Sequence, residues 1–324
     1  PIIIVIITSL LSQLSVMVSM IWRARLLAMR ISLFQICMSA FGIAISIYLL
    51  IIQDMSWQSR VIGTASVSIL EFIILTSVAI KNKWLVLSFN TKIIVRSLIF
   101  SIPLIPNIAA GWISGFSDRI IMAYYGKLGE AGLYSIAASF TMLLYIFNDA
   151  ITQVQAPMSI SGLTDNKKQA KKSMESFLML FTGVMSALYL CLALFSKEFL
   201  FLFTDIKYHE AYKLIAILGP IYIFSGIYRV FTVMIGFHGI MWVISGAAII
   251  QAILNIILNL TFIPIFGMYA AAYSTLLSMF AYTCFIVWRS QNKDPININY
   301  KSYLYLFLIV LITITINYNL NLII

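Results

Sequence analysis

Ionisable side chains are scarce in this 324-residue sequence, so the few that interrupt its apolar stretches mark the places where chemistry is possible. Asp118 and Arg119 are adjacent in GFSDRIIMAYYGKLGEAGLYSIA (115–137). A guanidinium grips two phosphate oxygens at once through its planar fork, so Arg119 suits the wall of a cationic cavity that takes a diphosphate. Its ordinary use would be snorkelling: Gly126 marks the helix end seven residues on, and an arginine reaches part of that way. Asp118 shares a polar stripe with Asn107, Gly111 and Ser114. Arg119 lies about 100° further round a helix, so the two do not form an i,i+4 pair.

A second polar group is Asn148, Asp149, Thr152, Gln153 and Gln155, which reads as cavity lining rather than lipid-facing surface. Gln251, Asn255 and Asn259 recur at strict i,i+4 spacing in QAILNIILN. Such a stripe either ties helices together or offers uncharged hydrogen-bonding groups to sugar hydroxyls. Glu71 shares a face with Thr64 and Ser68 and should point into a bundle, either as a neutral packing carboxyl or as a working one. Arg229 reads as a positive-inside anchor, and GWISG (111–115) as a close helix-packing site. No phosphate-binding glycine loop or nucleophile motif is present, so no catalytic residue and no cofactor is expected. His209 and His238 lack metal-ligand spacing, and Cys37, Cys191 and Cys284 each sit singly in apolar runs, so no metal is expected either.

The elements that must hold these groups are membrane helices. The chain is 62% hydrophobic and 10% charged, with a mean hydropathy of +1.00. Soluble domains carry about 25% charged residues, so this composition excludes one. Alternating segments of the β-barrel kind are absent. Ten spans are expected, near 1–21, 29–51, 59–80, 97–125, 131–157, 174–196, 211–235, 240–262, 268–288 and 302–323. Pro103 and Pro106 should kink the start of the fourth. The net charge of +10 is a topology signal rather than a nucleic-acid footprint, because it sits in short loops. Fourteen Lys and Arg fall in every second loop and five in the others, which puts the loops near residues 23–30, 81–96, 167–172 and 289–301 in the cytoplasm.

GTAS (63–66) and AAAY (270–273) open similar helices 207 positions apart, each after a helix and a short turn. Three segments over 1–80 would then match the last three of a six-helix lobe over 97–290, with 81–96 as a cytoplasmic linker and 301–324 as an additional C-terminal membrane segment. By this symmetry the first lobe is three helices short, an expected deficit of roughly 100 residues.

SDRIIMAYYGKLGEAGLYSIAASF (117–140), SKEFLFLFTDIKYHEAYKLIAILGP (196–220) and LLSQLSVMVSMIWRARLLAMRISLFQ (10–35) resemble, respectively, the seventh helix and following loop, the approach to the tenth helix, and the fourth to fifth helices of bacterial polysaccharide flippases. That family lies in the multidrug, oligosaccharidyl-lipid and polysaccharide exporter superfamily. The resemblance covers most of 1–290 and leaves 302–323 outside the usual twelve helices. It implies an all-α bundle of two pseudo-repeated lobes around a central cavity, in the bacterial cytoplasmic membrane. It also implies alternating access for an undecaprenyl-diphosphate-linked oligosaccharide, as in O-antigen and lipopolysaccharide assembly, without bond making or breaking. Arg119, Asp118, Asn148, Asp149, Gln153, Gln251, Asn255 and Asn259 would line the cavity, with Glu71 or Asp149 as the coupling carboxyl. Partners would be membrane lipids and other polysaccharide-assembly proteins, with no nucleic acid. The rivals are a multidrug cation antiporter of the same fold and an integral membrane polymerase. The polymerase reading suffers from the lack of a long outer loop.

Overall fold

The computed structural model describes residues 2–24, 27–55, 57–84, 90–298, 308, 310 and 312–315. Every regular element among them is helical. Six helices among the described residues are long and apolar enough to cross a membrane. The chain divides into two compact units, Pro1–Thr91 and Lys92–Ile324.

The first unit holds α1 (Ile2–Ala24), α2 (Ala28–Ile52) and α3 (Trp57–Lys81). α3 packs against both of the others. Ala65, Leu75 and Ala79 are its buried apolar side chains, while most of α2 is exposed, as lipid-facing helices are. Glu71 is half-buried on α3, and no described residue hydrogen-bonds or ion-pairs with its carboxylate.

The second unit begins with α4 (Thr91–Ser101), a 3-10 turn over Ile102–Leu104, and α5 (Ile105–Tyr124). Pro103 and Pro106 sit at the starts of the turn and of α5, where a missing N–H costs least, so the expected kink is a change of helix type. α6 (Leu128–Asp165) and α7 (Lys167–Leu194) outrun the expected spans 131–157 and 174–196 at the lysine-rich end. Only Asn166 separates them, and its side chain caps α7 by accepting from the Gln169 N–H at 3.2 Å.

α8 (Ser196–Phe203), a 3-10 turn over Ile206–Ala211 and α9 (Tyr212–Leu218) lead into α10 (Pro220–Phe237). Gly219 itself has helical backbone angles, so α9 and α10 run on as one path. That path is the most buried in the unit, with Leu214, Ile215, Ile223 and Val230 fully enclosed. α6 and α7 pack against it through Leu144, Phe181, Met185 and Tyr189. α10 comes this close because Gly226 lacks a side chain: a Cβ there would fall 1.8 Å from the Phe181 ring.

The last two complete spans are arms of one interrupted helix, α11 (Met241–Lys293). The turn expected over IPIFG shrinks to Gly267, whose φ of 59° and ψ of −136° reverse the chain. Glu130, in the first turn of α6, accepts from the Met268 N–H at 2.6 Å and so caps the second arm. The expected segment 302–323 lies almost wholly outside the described residues.

Candidate functional site

The site is built from α5, α6, α10 and both arms of α11, all within the second unit. α5 faces α11 through a ladder of polar side chains. Ser114 donates to Gln251 at 3.3 Å, Ser117 to Asn255 at 3.1 Å, and Asn259 to Asp118 at 2.5 Å. The i,i+4 stripe also reaches the second arm, with Gln251 donating to Ser278 at 3.3 Å and Asn255 to Thr275 at 3.2 Å. A helix repeats about every 3.6 residues, so residues spaced by four stack in one line, and three helices are joined along it.

Asp118 is the ladder's charged rung. It is 2% exposed, and donors occupy both its oxygens: Tyr134 at 2.5 Å, Asn259 at 2.5 Å and Thr275 at 3.0 Å. The Thr275 hydroxyl lies equally close to its own helix carbonyl at Ala271, so its single proton is shared between two acceptors. Arg119 faces another way. Its Nε donates to Ser135 at 3.0 Å and one Nη to the Gly115 carbonyl at 3.3 Å, and the guanidinium carbon lies 5.7 Å from the Tyr134 ring centre. No ion pair joins Asp118 to Arg119, and the second Nη of Arg119 has no hydrogen-bond partner among the described residues.

The paired residues Asp118–Arg119 therefore meet the paired residues Tyr134–Ser135 across the α5–α6 hairpin. Sequence reading singled out the first pair and quoted the second without assigning it a role. The signal was available: 134 and 135 lie 16 positions after 118 and 119, in the same order.

A cavity of about 420 Å³ opens between these helices. Arg119, Asn107, Ser139, Thr141 and Gln251 contribute polar atoms, and Phe116, Tyr222, Tyr228 and Tyr282 contribute rings. Gly111 and Gly115 also line it, and a Cβ at either would meet nothing within 4 Å. GWISG is thus an opening in the wall, a correction to the packing role expected of it.

Asn148, Asp149 and Gln153 form a separate group deeper along α6. Asp149 pairs with Arg229 of α10 at 2.9 Å and accepts from Gln153. Arg229 also donates to Thr152 at 2.9 Å, so it is bound within the unit and is not the terminal anchor expected from the sequence. Asn148, fully buried, donates to Ser225 at 3.0 Å. Asn148, Asp149, Gln153, Asn255 and Asn259 do not line the cavity; Arg119, Gln251 and the edge of Asp118 do. Glu71 belongs to the other unit. Among the described residues no three of His, Cys, Asp and Glu gather as metal ligands.

Comparison with known proteins fits this architecture. The sequence profile of the family described as "Polysaccharide biosynthesis protein" matches residues 2–213. No curated protein matches the sequence. A point mutant of the Vibrio cholerae MATE transporter VcmN superposes with a TM-score of 0.74 at 12% identity, over 88% of this chain and 67% of that one. The bent form of VcmN superposes with a TM-score of 0.56, also at 12% identity, over 84% and 63%. The chain thus spans about two thirds of those transporters' length. Because the family profile extends over most of the chain, including both halves of the α5–α6 hairpin, this multi-pass membrane protein belongs to the polysaccharide biosynthesis protein family.

Proposed function

We propose that the chain carries a lipid-linked oligosaccharide across the bacterial cytoplasmic membrane by alternating access, as part of polysaccharide assembly. The headgroup, an oligosaccharide on undecaprenyl diphosphate, would pass through protein while the polyprenyl tail stays in lipid. No bond is made or broken, so the activity is transport. The observation that carries this reading is the unequal fate of the adjacent charges. Asp118 is consumed by donors inside the helix ladder, whereas Arg119 keeps unused N–H groups at a cavity wall of tyrosines and amides. The charge that keeps unused donors is positive, which suits the acceptor oxygens of a phosphate better than a cationic drug. A coupling ion or proton is better served by Glu71, which has no partner among the described residues, than by Asp149, which Arg229 already holds.

Arg119→Ala tests the reading in a strain whose own copy is deleted. Surface polysaccharide should fall at least tenfold at normal protein abundance, with lipid-linked units accumulating on the cytoplasmic leaflet. Arg119→Lys should restore only part, since a lysine keeps the charge and loses the fork. Wild-type export by Arg119→Ala would remove the residue from the mechanism. Single repeat units exposed outside the deletion strain would point to polymerisation, and loss of cationic-dye efflux to the antiporter.

A further inference from the structure

A second cavity in the same unit is larger than the one beside Arg119. A groove of about 640 Å³ runs between the last third of α6 and the first third of α7, from Ile151 to Phe177. Its size falls in the range of small-molecule sites, about 300–1,000 Å³. Gln155, Ser159, Asn166, Gln169 and Ser173 supply polar atoms, and Met158, Met174 and Phe177 supply apolar walls. Its one charged lining residue is Asp165.

Gln155 makes the groove more than a gap. This side chain is 6% exposed, and its Nε2 donates to Ser159 at 2.6 Å. Its Oε1 is buried without any hydrogen-bond partner. A buried acceptor left unmet keeps its full desolvation cost, so the site is set for a ligand that brings an O–H or N–H. A phosphate brings only acceptors and would meet Asp165, with no cation among the described lining residues to receive it. An acyl or polyprenyl chain brings no donor at all. A sugar brings hydroxyls for the amide row and C–H faces for Met158 and Phe177.

Depth agrees with chemistry. α6 has 38 residues. At about 1.5 Å per residue such a helix is far longer than the ~30 Å hydrocarbon layer, so its lysine-rich end stands at or beyond the lipid headgroups. The groove lies at that end and the Arg119 cavity lies toward the other, on the Tyr134–Met142 stretch of the same helix, with the Asp149–Arg229 pair between them.

Resting on the flippase reading above, we infer that the α6–α7 groove is a docking site for the uncharged carbohydrate of the headgroup, with Gln155 Oε1 accepting from a sugar hydroxyl. It is a station separate from the cationic cavity, and the loop charges place it on the cytoplasmic side.

The test reads access to the groove. In a chain with Cys37, Cys191 and Cys284 changed to serine, Ser173→Cys is labelled with a maleimide in inverted membrane vesicles. One vesicle set comes from cells that make the lipid-linked oligosaccharide, the other from cells blocked before the first sugar is added. Labelling should be at least threefold slower in the first set, while Ser176→Cys, exposed on α7 outside the groove, labels equally in both. Adding Gln155→Leu should abolish the protection at unchanged abundance. Equal labelling at 173 in the two sets overturns the inference, because phospholipid and sugar-free polyprenyl phosphate are present in both. Protection that survives Gln155→Leu overturns the assignment of the amide. Export by the parent chain in the deletion strain is scored separately, so a failed groove leaves the transport reading standing and a failed transport reading is seen without the groove.

Discussion

At the scale of single residues, the adjacent charges of α5 have divided roles. Asp118 is a structural acceptor, and an amide in its place would turn an N–H toward a donor. Asp118→Asn is therefore expected to lose about 1–3 kcal/mol of stability through an unmet buried group. Thermal unfolding in detergent should show a clear drop in Tm. Arg119→Ala should leave Tm within a degree or two of the parent, because Arg119 is half-exposed and bonds only one side chain and one carbonyl. An equal loss of stability in both variants would contradict this division of roles.

The helices owe their positions to a few side chains that act at element ends and crossings. Gly267 lets the two arms of α11 reverse, and a Cβ there would lie 1.9 Å from the Glu130 carboxylate. Gly267→Ala thus meets both a left-handed φ and a collision with the group that caps the second arm. The strain alone is worth about 1–3 kcal/mol. Glu130→Ala removes only the cap and should cost about 0.5–2 kcal/mol. The double variant should lose less than the sum of the two, since removing the carboxylate also removes the collision. Full additivity in unfolding midpoints would count against a shared clamp. Gly226→Ala should be harmful for a different reason, by overpacking the α10 contact with Phe181 at about 1–3 kcal/mol.

Across the second unit as a whole, Asp294 gathers three elements at the lysine-rich end. It pairs with Lys167 at 2.8 Å and with Lys171, both on α7, and with His238 after α10 at 3.2 Å, while it ends α11. Burial pushes its carboxyl up, but hydrogen bonds from Lys167, Lys171 and His238 outweigh that and bring it down to about 2. An unfolded aspartate titrates near about 3.9. Because the folded value is the lower one, the stability from this group is fully present above about pH 4 and is lost as pH falls through about 2. Asp294→Asn should remove that part of the acid dependence and lower stability at neutral pH. Melting curves between pH 2 and 7 that superimpose for the two proteins, apart from a constant offset, would show that the cluster does not hold the three elements together.

Much of this was open to reading in the sequence. Long apolar runs with few charges must become membrane helices, because only a helix satisfies its own backbone in lipid. The prolines of 103 and 106 and the glycine of 267 marked breaks for steric reasons that hold in any surroundings. The stripe Gln251, Asn255 and Asn259 showed one face, since helical period alone puts those residues in line. What that face would meet was not legible. Whether Gly111 and Gly115 touch a neighbour, whether Arg229 reaches an aspartate 80 positions earlier, and which of two adjacent charges is consumed depend on how helices distant in sequence are set beside each other. A helix sequence fixes the direction of each side chain around its own axis, and only the packing of the other helices decides whether that direction ends in a donor, a ring or an open cavity.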